Sequence, residues 1–418
     1  MLWRKRFLFL TGFCLACSPA GAVASGIELL SADTVALSGD IRLVAGDGES
    51  SWLRDGFGKT RYGNLEAPAP GNFDLAWTPR LGWSLSATIV ASAVGGPRPE
   101  AGLSEAFLSF RSPPGDGLRW FARAGLMFPP VSLEHSGANW HVTSTVTPSA
   151  INSWIGEEVK PLAIEGRVEA PLGAGRIEAL GAVFAANDTA GALLALRGWA
   201  LNDRKTFAFR RQPLPQLGEE LEYLQPRFTH PLLDIGPGFA HRPGYFAKLA
   251  WASGGPLRAE LFHYDNRADP EDVNADLEWG WRTRFDQLGV AAQPLAGTEI
   301  KAQAMRGHST MGMIEDGRRW VDHRFRSAFV LVDHHWSRFG VAARGEAFDG
   351  RQHGSLVDGE DNEQGWAGTL CGRMAIGANV NLLVEALHVD SRRSARDRIG
   401  LAPRQKQDQL QAVLRAGW

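Results

Sequence analysis

The chain ends in QLQAVLRAGW, residues 409–418, and this stretch bears most directly on the fold. Successive side chains of a strand point to opposite faces, so the segment has two faces of different character. One face is apolar: Leu410, Ala412, Leu414, Ala416 and Trp418. The last residues of a soluble protein are usually polar and frayed, which makes an aromatic terminus unusual. From these ten residues alone, a soluble edge or core strand remains an open alternative.

The N-terminus predicts export. A basic segment (residues 4–6) precedes an apolar run (7–17), and small residues at 22–24 offer a cleavage site. This order is typical of a secretory signal peptide spanning residues 1–24. A lipoprotein signal that ends at Cys17 is the weaker alternative. After cleavage at residue 24 one cysteine remains, so no internal disulfide is expected.

The composition excludes several classes of protein. The mean hydropathy is −0.18, and no apolar run near 18 residues follows the signal segment, so no helical membrane span is predicted. A net charge of −2 argues against a nucleic-acid-binding protein. The 48 glycines and 15 tryptophans favour strands, tight turns and an aromatic belt. No linker-like segment divides the chain, so residues 25–418 are predicted to form one domain.

Segments of about ten residues with a period of two recur throughout the chain. Short turns alternate with longer polar stretches, as expected of an up-and-down transmembrane β-barrel with short periplasmic turns and long outer loops. The short turns are 79–80, 113–117, 171–175, 254–256, 294–297, 336–338 and 377–379. The long stretches are 47–71, 129–157, 267–278, 310–322, 350–364 and 392–406. The terminal ten residues are therefore predicted to be the closing strand of a barrel.

The strand count depends on one segment. Counting every alternating segment gives 17 strands, but a barrel with both termini in the periplasm needs an even number. Thr189–Leu201 is the doubtful segment, and placing it inside one outer loop from 187 to 243 gives 16 strands. Its leucines suit a short helix against the barrel wall. A 16-stranded antiparallel barrel is wide enough for an aqueous channel.

The loop 128–158 carries more apolar side chains than a solvated loop would. It is predicted to fold into the lumen as a constriction, with a cover over the mouth or a contact with a neighbouring subunit as alternatives. The residues expected to form the constriction are Phe128, Glu134, His135, Trp140, Trp154 and Glu157.

The strand phase predicts which charged side chains line the pore. Four arginines from three consecutive strands flank the loop 128–158, namely Arg119, Arg123, Arg167 and Arg176. They could form one basic patch that attracts anions. The alternative is ion pairing along the wall with Glu165, Glu169 and Glu178, which share those strands.

No catalytic, metal-binding or cofactor-binding pattern is predicted. The spacing of Ser132, His135, Ser136 and His141 does not require a hydrolase triad. The acidic loops at 265–276 and 358–363 lack the spacing of a calcium-binding loop.

A family resemblance appears in RAGLMFPPVSLEHSGANW and VTPSAINSWIGEEVKPLAIEG, within residues 103–168, and in YDNRADPE and WGWRTRF, within 262–286. These stretches resemble uncharacterised alphaproteobacterial outer-membrane proteins of the phosphate-selective porin O and P group. The resemblance implies a 16-stranded porin, commonly trimeric. Phosphate selectivity in that group relies on a lysine-rich pore, whereas this chain has almost no lysine at predicted luminal positions.

The sequence thus predicts a porin of the Gram-negative outer membrane for passive diffusion of small hydrophilic or anionic solutes. Expected partners are outer-membrane lipid and lipopolysaccharide, the barrel-assembly machinery through the C-terminal strand, and further copies in a homotrimer. An outer-membrane enzyme with catalytic residues at the rim, and a structural or adhesion barrel with a plugged lumen, are the alternatives.

Overall fold

The computed structural model describes residues 27–418 except 114, 116, 137–139, 218–220, 222–223, 236–241 and 357–360. The signal peptide predicted at 1–24 lies outside the described residues. The barrel strands are β1 (Val35–Gly46), β2 (Glu66–Trp77), β3 (Leu85–Val94), β4 (Glu100–Arg111), β5 (Arg119–Leu126), β6 (Leu162–Leu172), β7 (Gly175–Ala185), β8 (Gly244–Ala252), β9 (Leu257–Asp265), β10 (Arg282–Leu295), β11 (Thr298–Glu315), β12 (Arg318–Trp336), β13 (Phe339–Gln352), β14 (Glu363–Ala375), β15 (Val380–Arg393) and β16 (Arg404–Gly417).

Each strand pairs antiparallel with the next, and β16 pairs with β1. The closing ladder runs from Ser38 opposite Gly417 to Gly46 opposite Gln409. Closure pairs the edges that an open sheet would leave exposed. The predicted 16-stranded up-and-down barrel is therefore confirmed.

The two faces of β16 lie as the alternation predicts. Leu410 is 51% exposed on the outside and Trp418 67%, whereas Gln411 and Val413 are buried inside. Apolar side chains can face outwards in this way where lipid replaces water as the solvent. The C-terminal segment 409–418 therefore belongs to the closing strand of a transmembrane barrel.

An aromatic belt surrounds the periplasmic end of the barrel. Trp83 (86% exposed), Trp120 (52%), Trp336 (48%) and Trp418 (67%) lie beside the short turns or the C-terminus. Tryptophan prefers the boundary between lipid and water because its ring is apolar and its N–H is polar. This belt marks the lower boundary of the membrane-spanning band.

One predicted outer loop is wrong. Residues 310–322 form no long loop, because β11 and β12 run on to Glu315 and Arg318 and are joined by Asp316 and Gly317 alone. Both turn residues have positive φ, 49° and 77°, as the two central residues of a tight type I′ hairpin turn require. The predicted loop 47–71 is also too long, since β2 begins at Glu66.

Two long connections fold into the lumen. The connection 127–161 contains α1 (Ala150–Glu158), which begins after the N-cap Ser149 and is buried on every side. The connection 186–243 contains α2 (Ala192–Leu196), whose Leu193 and Leu194 are fully buried. The inward-folded loop and the short helix between 187 and 243 are thus as predicted. Among the described helices, none is long and apolar enough to cross a membrane.

Candidate functional site

Aromatic side chains pack the half of the lumen bounded by β7–β13. Trp154 of α1 lies edge-on to Phe285 of β10 and Phe325 of β12, with ring centroids 5.4 and 5.3 Å apart. Phe285 in turn stacks on Tyr264 of β9 at 4.9 Å. All four side chains are at most 2% exposed. These buried ring-to-ring contacts fill this part of the lumen with side chains.

A buried arginine fixes the connection 127–161 to the opposite wall. Arg344 of β13 is 2% exposed and donates to the Glu134 carboxylate at 2.9 Å. It also donates to the main-chain oxygens of Thr147 at 2.8 Å and Pro148 at 3.0 Å. It also forms an ion pair with Glu346 at 2.9 Å. Charge-assisted hydrogen bonds are strong in a low-dielectric interior, so Arg344 holds the loop across the lumen.

Two further contacts hold the same connection. The Glu385 carboxylate of β15 accepts hydrogen bonds from the main-chain N–H groups of Val146 at 2.6 Å and Thr147 at 3.1 Å. Arg373 of β14 pairs with Asp333 of β12 at 2.5 Å and donates to the main-chain oxygen of Thr143 at 3.0 Å. The loop is therefore attached to β12–β15, far from the strands between which it starts and ends.

Two of the aromatic residues expected in the constriction, Phe128 and Trp140, lie together in the lumen, whereas Trp154 packs against β10 and β12. Trp140 stacks between Phe128 and His135, with ring centroids 4.7 and 4.0 Å apart, and its Nε1 donates to the main-chain oxygen of Asn152 at 3.2 Å. Glu134 accepts from the Asn152 side chain at 2.6 Å. These contacts fix the shape of the loop, and the constriction stays a prediction.

The two acidic residues at the end of α1 connect the two luminal segments. Glu157 forms a two-point ion pair with Arg197, at 2.9 and 2.7 Å. Glu158 accepts from Trp154 Nε1 at 2.6 Å and from the main-chain N–H of Leu193 at 3.0 Å. Burial raises the pKa of Glu158 to about 7, although these hydrogen bonds oppose the shift. The Glu158 contact therefore titrates near neutral pH.

A charged cluster anchors the second luminal segment to β1 and the first outer loop. Asp203 accepts from Arg42 at 2.6 Å and from Arg61 at 2.7 Å. Burial raises the pKa of Asp203, but the two guanidinium groups lower it further, so the net shift is strongly downward and the carboxylate is ionised. Lys205 lies two residues further on and pairs with Asp74 of β2 at 3.1 Å.

A polar cleft remains between these two luminal segments and the wall of β1, β2 and β16. Its volume is about 10 Å³, and its ionisable lining is Asp40, His135, His141, Asp203, Arg204, Lys205 and Arg415. A volume of that size holds about one water molecule.

Two groups of the cleft, His141 and Arg415, differ in charge at pH 7. Burial, followed by the nearby charges of Lys205 and Arg415, lowers the pKa of His141 to about 4, so the ring is neutral at pH 7. Arg415 of β16 donates to the main-chain oxygen of Val142 at 3.0 Å. Among the described residues no carboxylate forms an ion pair with Arg415, and its Nε has no hydrogen-bond partner. Arg415 is thus a cation with spare hydrogen-bonding capacity.

The predicted pore-lining charges lie elsewhere, on the inner face of β5–β7 towards the periplasm. Three ion pairs connect six of them: Arg123 with Glu165 at 2.6 Å, Arg167 with Glu178 at 3.5 Å, and Arg176 with Glu169 at 3.2 Å. Arg119 has no ion pair among the described residues. The side chains therefore adopt the ion-paired arrangement that the sequence left open, and the described contacts join none of them to the loop 127–161.

Sequence reasoning missed the residues that line the cleft from the second luminal segment. Asp203, Arg204 and Lys205 belong to no strand. The alternation that predicts inward-facing side chains on strands therefore does not apply to them. Arg415 was visible on the polar phase of β16 but had no predicted partner. The one available signal was the density of charge in Asn202–Lys205, which is unusual beside the apolar residues at 192–201.

The hydroxyl–imidazole contact in the loop has a local explanation. Ser132 Oγ lies 2.7 Å from His135 Nδ1, and it also accepts from the main-chain N–H groups of Glu134 and His135. A serine that caps its own turn in this way is a common structural motif. Within the described residues, no carboxylate hydrogen-bonds to His135 as the orienting group of a triad would.

Solved structures similar to this one include outer-membrane porins and channels. The anion-selective porin of Comamonas acidovorans aligns with 92% of this chain and 99% of its own, at a TM-score of 0.51 and 11% identity. The channel DcaP of Acinetobacter baumannii (93% and 99%, 0.51, 10%) and OprB of Pseudomonas putida (94% and 94%, 0.51, 8%) are similar. At such identities the likeness establishes the fold alone. No protein-family model and no curated protein matches the sequence, so the resemblance to the phosphate-selective group stays a prediction.

Proposed function

We propose that the protein is a porin that lets small hydrophilic solutes diffuse passively across the outer membrane, and that it prefers anions. The observation that carries this proposal is the division of the lumen into an aromatic half, which is packed, and a polar half, which contains a charged cleft. A 16-stranded barrel is wide enough for a water-filled passage. When loops narrow a barrel of this size, the channel becomes selective.

The anion preference rests on Arg415. The other two cations of the cleft have acidic partners, since Arg204 pairs with Glu100 at 3.1 Å and Lys205 with Asp74 at 3.1 Å. A guanidinium group stays charged at any working pH and binds carboxylate or phosphate oxygens in two-point geometry. Arg415 lies directly opposite Asp40 on the neighbouring strand, but Asp40 is already held in an ion pair with Arg42 at 2.5 Å. An anion in the cleft would therefore meet a positive charge that is only partly offset, with the Nε of Arg415 as a donor that has no partner.

The narrowness of the cleft favours a second candidate, a structural barrel with a plugged lumen. Room for about one water molecule is too little for a sugar or an organic acid to pass without movement of the loop. As a porin, the protein would open by a shift of the connection 127–161, which is attached to the wall by side-chain contacts rather than by strand pairing. As a structural barrel, it would keep those contacts, and the lumen would stay closed.

Single-channel recording in planar bilayers separates the two candidates. A porin gives discrete conductance steps, and its reversal potential in a KCl gradient shows anion preference. We expect Arg415→Ser to reduce that preference, whereas Arg338→Ser, at the periplasmic turn between β12 and β13, should leave it unchanged. Silence at every voltage would favour the plugged barrel, and cation preference in the wild type would remove Arg415 from the selectivity site.

We also propose that residues 1–24 direct export, that β16 is recognised by the barrel-assembly machinery, and that the barrels form a homotrimer. The aromatic belt and the outward-facing Trp418 support the membrane insertion. Trp418→Asp should block insertion, because a charged side chain replaces the terminal anchor at the membrane boundary. Normal outer-membrane levels of heat-modifiable protein in this variant would contradict the role of Trp418.

A further inference from the structure

The outward face of β9–β13 carries two rows of charged side chains near its outer end. In the upper row, neighbouring strands place Arg284, His308, Arg324 and Arg351 side by side. The lower row follows two residues along each strand and contains Asp286, Arg306, Arg326 and Asp349. These eight residues line most of a groove of about 540 Å³, which we call the outer basic groove.

Positive charge exceeds negative charge in the outer basic groove. Arg306 pairs with Asp286 at 3.4 Å, and Arg326 pairs with Asp349. Arg306 lies directly opposite Arg326, and Arg324 directly opposite Arg351. Like charges at directly opposed positions of a sheet destabilise it, so an external anion would relieve the repulsion.

Two arginines of the upper row are available to such an anion. Among the described residues, no carboxylate lies within ion-pair distance of Arg284 or Arg351, and Arg324 has only a long contact of 3.8 Å with Asp322. The Arg306 and Arg324 side chains are 82% and 66% exposed. A guanidinium group recognises phosphate through parallel N–H donors, which makes a cluster of arginines a suitable phosphate site.

The height of the groove matches the outer boundary of the membrane. On β12 the outward residues from Trp336 to Arg326 span ten positions, and Ala328, Val330, Val332 and His334 lie between them. Ten residues rise about 33 Å along a strand, which a tilt of about 40° reduces to roughly 25 Å, the height of a barrel's apolar band. Since Trp336 belongs to the lower aromatic belt, Arg326 lies where lipid headgroups begin.

An apolar furrow continues from the groove towards the middle of the membrane. Its floor is the next cross-strand row, Leu261, Leu288, Ala304, Ala328 and Ala347. The furrow measures about 640 Å³ and is also lined by Asp286, Arg306, Arg326 and Asp349, so the two grooves are continuous. Three neighbouring alanines leave room for an acyl chain against the wall.

We propose that the outer basic groove and the furrow below it bind one phosphorylated glycolipid of the outer leaflet, a lipopolysaccharide, with its phosphates on the arginines and an acyl chain over the alanines. Charge complementarity favours this lipid over a second copy of the chain. Among the described residues, the outward carboxylates Asp390 of β15 and Asp408 of β16 already have cationic partners, Arg404 at 2.6 Å and His388 at 2.6 Å. That face therefore offers the groove no unpaired carboxylate. The site is on the outside of the barrel and does not depend on whether the lumen conducts.

The test uses the full barrel, delipidated in mild detergent and titrated with purified lipopolysaccharide. Arg324→Ser with Arg351→Ser removes two charges from the groove, and we expect binding to weaken by roughly tenfold or more. Arg80→Ser with Arg338→Ser removes the same charge from the periplasmic rim and serves as the matched control. Ala328→Trp fills the furrow without changing charge and should also weaken binding of the lipid.

Each other outcome overturns the proposal. Equal affinity in all variants, or an equal loss in the groove and control variants, would remove the site. Inorganic phosphate that competes as strongly as the lipid, together with no effect of Ala328→Trp, would point to free phosphate rather than a lipid. Loss of oligomers with unchanged lipid binding would identify the groove as a subunit contact. Heat modifiability of each variant establishes that the barrel is folded.

Discussion

Arg344 and Arg123 both face the lumen and both pair with a glutamate, yet they do different things. The Arg344 side chain is fully buried and bonds to two carboxylates and two main-chain oxygens of the inward-folded loop and the wall. The Arg123 side chain is 25% exposed and bonds to Glu165 of the neighbouring strand only. The difference shows that inward orientation alone does not make a residue part of the constriction. A residue belongs to the constriction when it also contacts a second segment of the chain.

The largest expected effect follows from removing the buried arginine. Arg344→Leu leaves Glu134 and Glu346 in the interior without their cation, which costs about 3–5 kcal/mol in other proteins. We expect the free energy of unfolding in detergent to fall by that order, and the conductance to rise because the loop is released. The triple variant Arg344→Leu, Glu134→Gln, Glu346→Gln should recover a large part of the stability, since the two carboxylates that paired with Arg344 are then neutral. A loss below about 1 kcal/mol in the single variant would contradict the anchoring role.

The next effect concerns the contact between the two luminal segments. In the folded protein the pKa of Glu158 is raised to about 7, so the folded state holds a proton that the unfolded state has released above pH 4.5. Stability from this group therefore decreases as pH rises from about 4.5 to 7, by roughly 3 kcal/mol for such a shift. Glu158→Gln keeps an acceptor for Trp154 and should remove this dependence. The thermal midpoints of wild type and variant, compared from pH 4.5 to 8, should diverge; a constant difference would refute the titration of Glu158.

The barrel itself was predictable because each strand is specified by the pattern of its own neighbouring residues. Alternation along each strand shows which side chains face lipid. The need for an even number of strands shows that the segment 189–201 is not one of the strands of the wall. The hairpin at Asp316-Gly317 was missed because the polar residues around it suggested a loop, although Asp-Gly is a strong turn signal. The cleft was not predictable in the same way. It depends on contacts between residues far apart in sequence, such as Arg42 with Asp203, and nothing in a strand period specifies them.

Acid pH should alter the cleft through His141. Its pKa of about 4 means that the ring gains a positive charge only as the pH falls through that value. We expect anion preference to increase between pH 5 and pH 3, measured as a shift in reversal potential. Carboxyl groups also titrate in this range, so His141→Gln is the necessary control: it should lack the part of the shift that the imidazole contributes. An identical shift in both proteins would show that His141 does not face the conducting path.

The smallest effect belongs to the arginines that sequence analysis had favoured. In the double variant Arg119→Ser, Arg123→Ser, the Arg123 side chain is 25% exposed but its partner Glu165 is only 5% exposed. Stability should therefore fall by about 1–3 kcal/mol, less than in Arg344→Leu, because one carboxylate rather than two loses its cation. Loss of two positive charges on the periplasmic side should reduce anion preference slightly. Water-exposed charges are screened over about 8 Å at physiological salt, so Arg119 and Arg123 should have little influence on ions in the cleft that contains Arg415. A reversal potential that shifts more in this double variant than in Arg415→Ser would reverse the comparison, and would place the selectivity site on the wall of β5–β7.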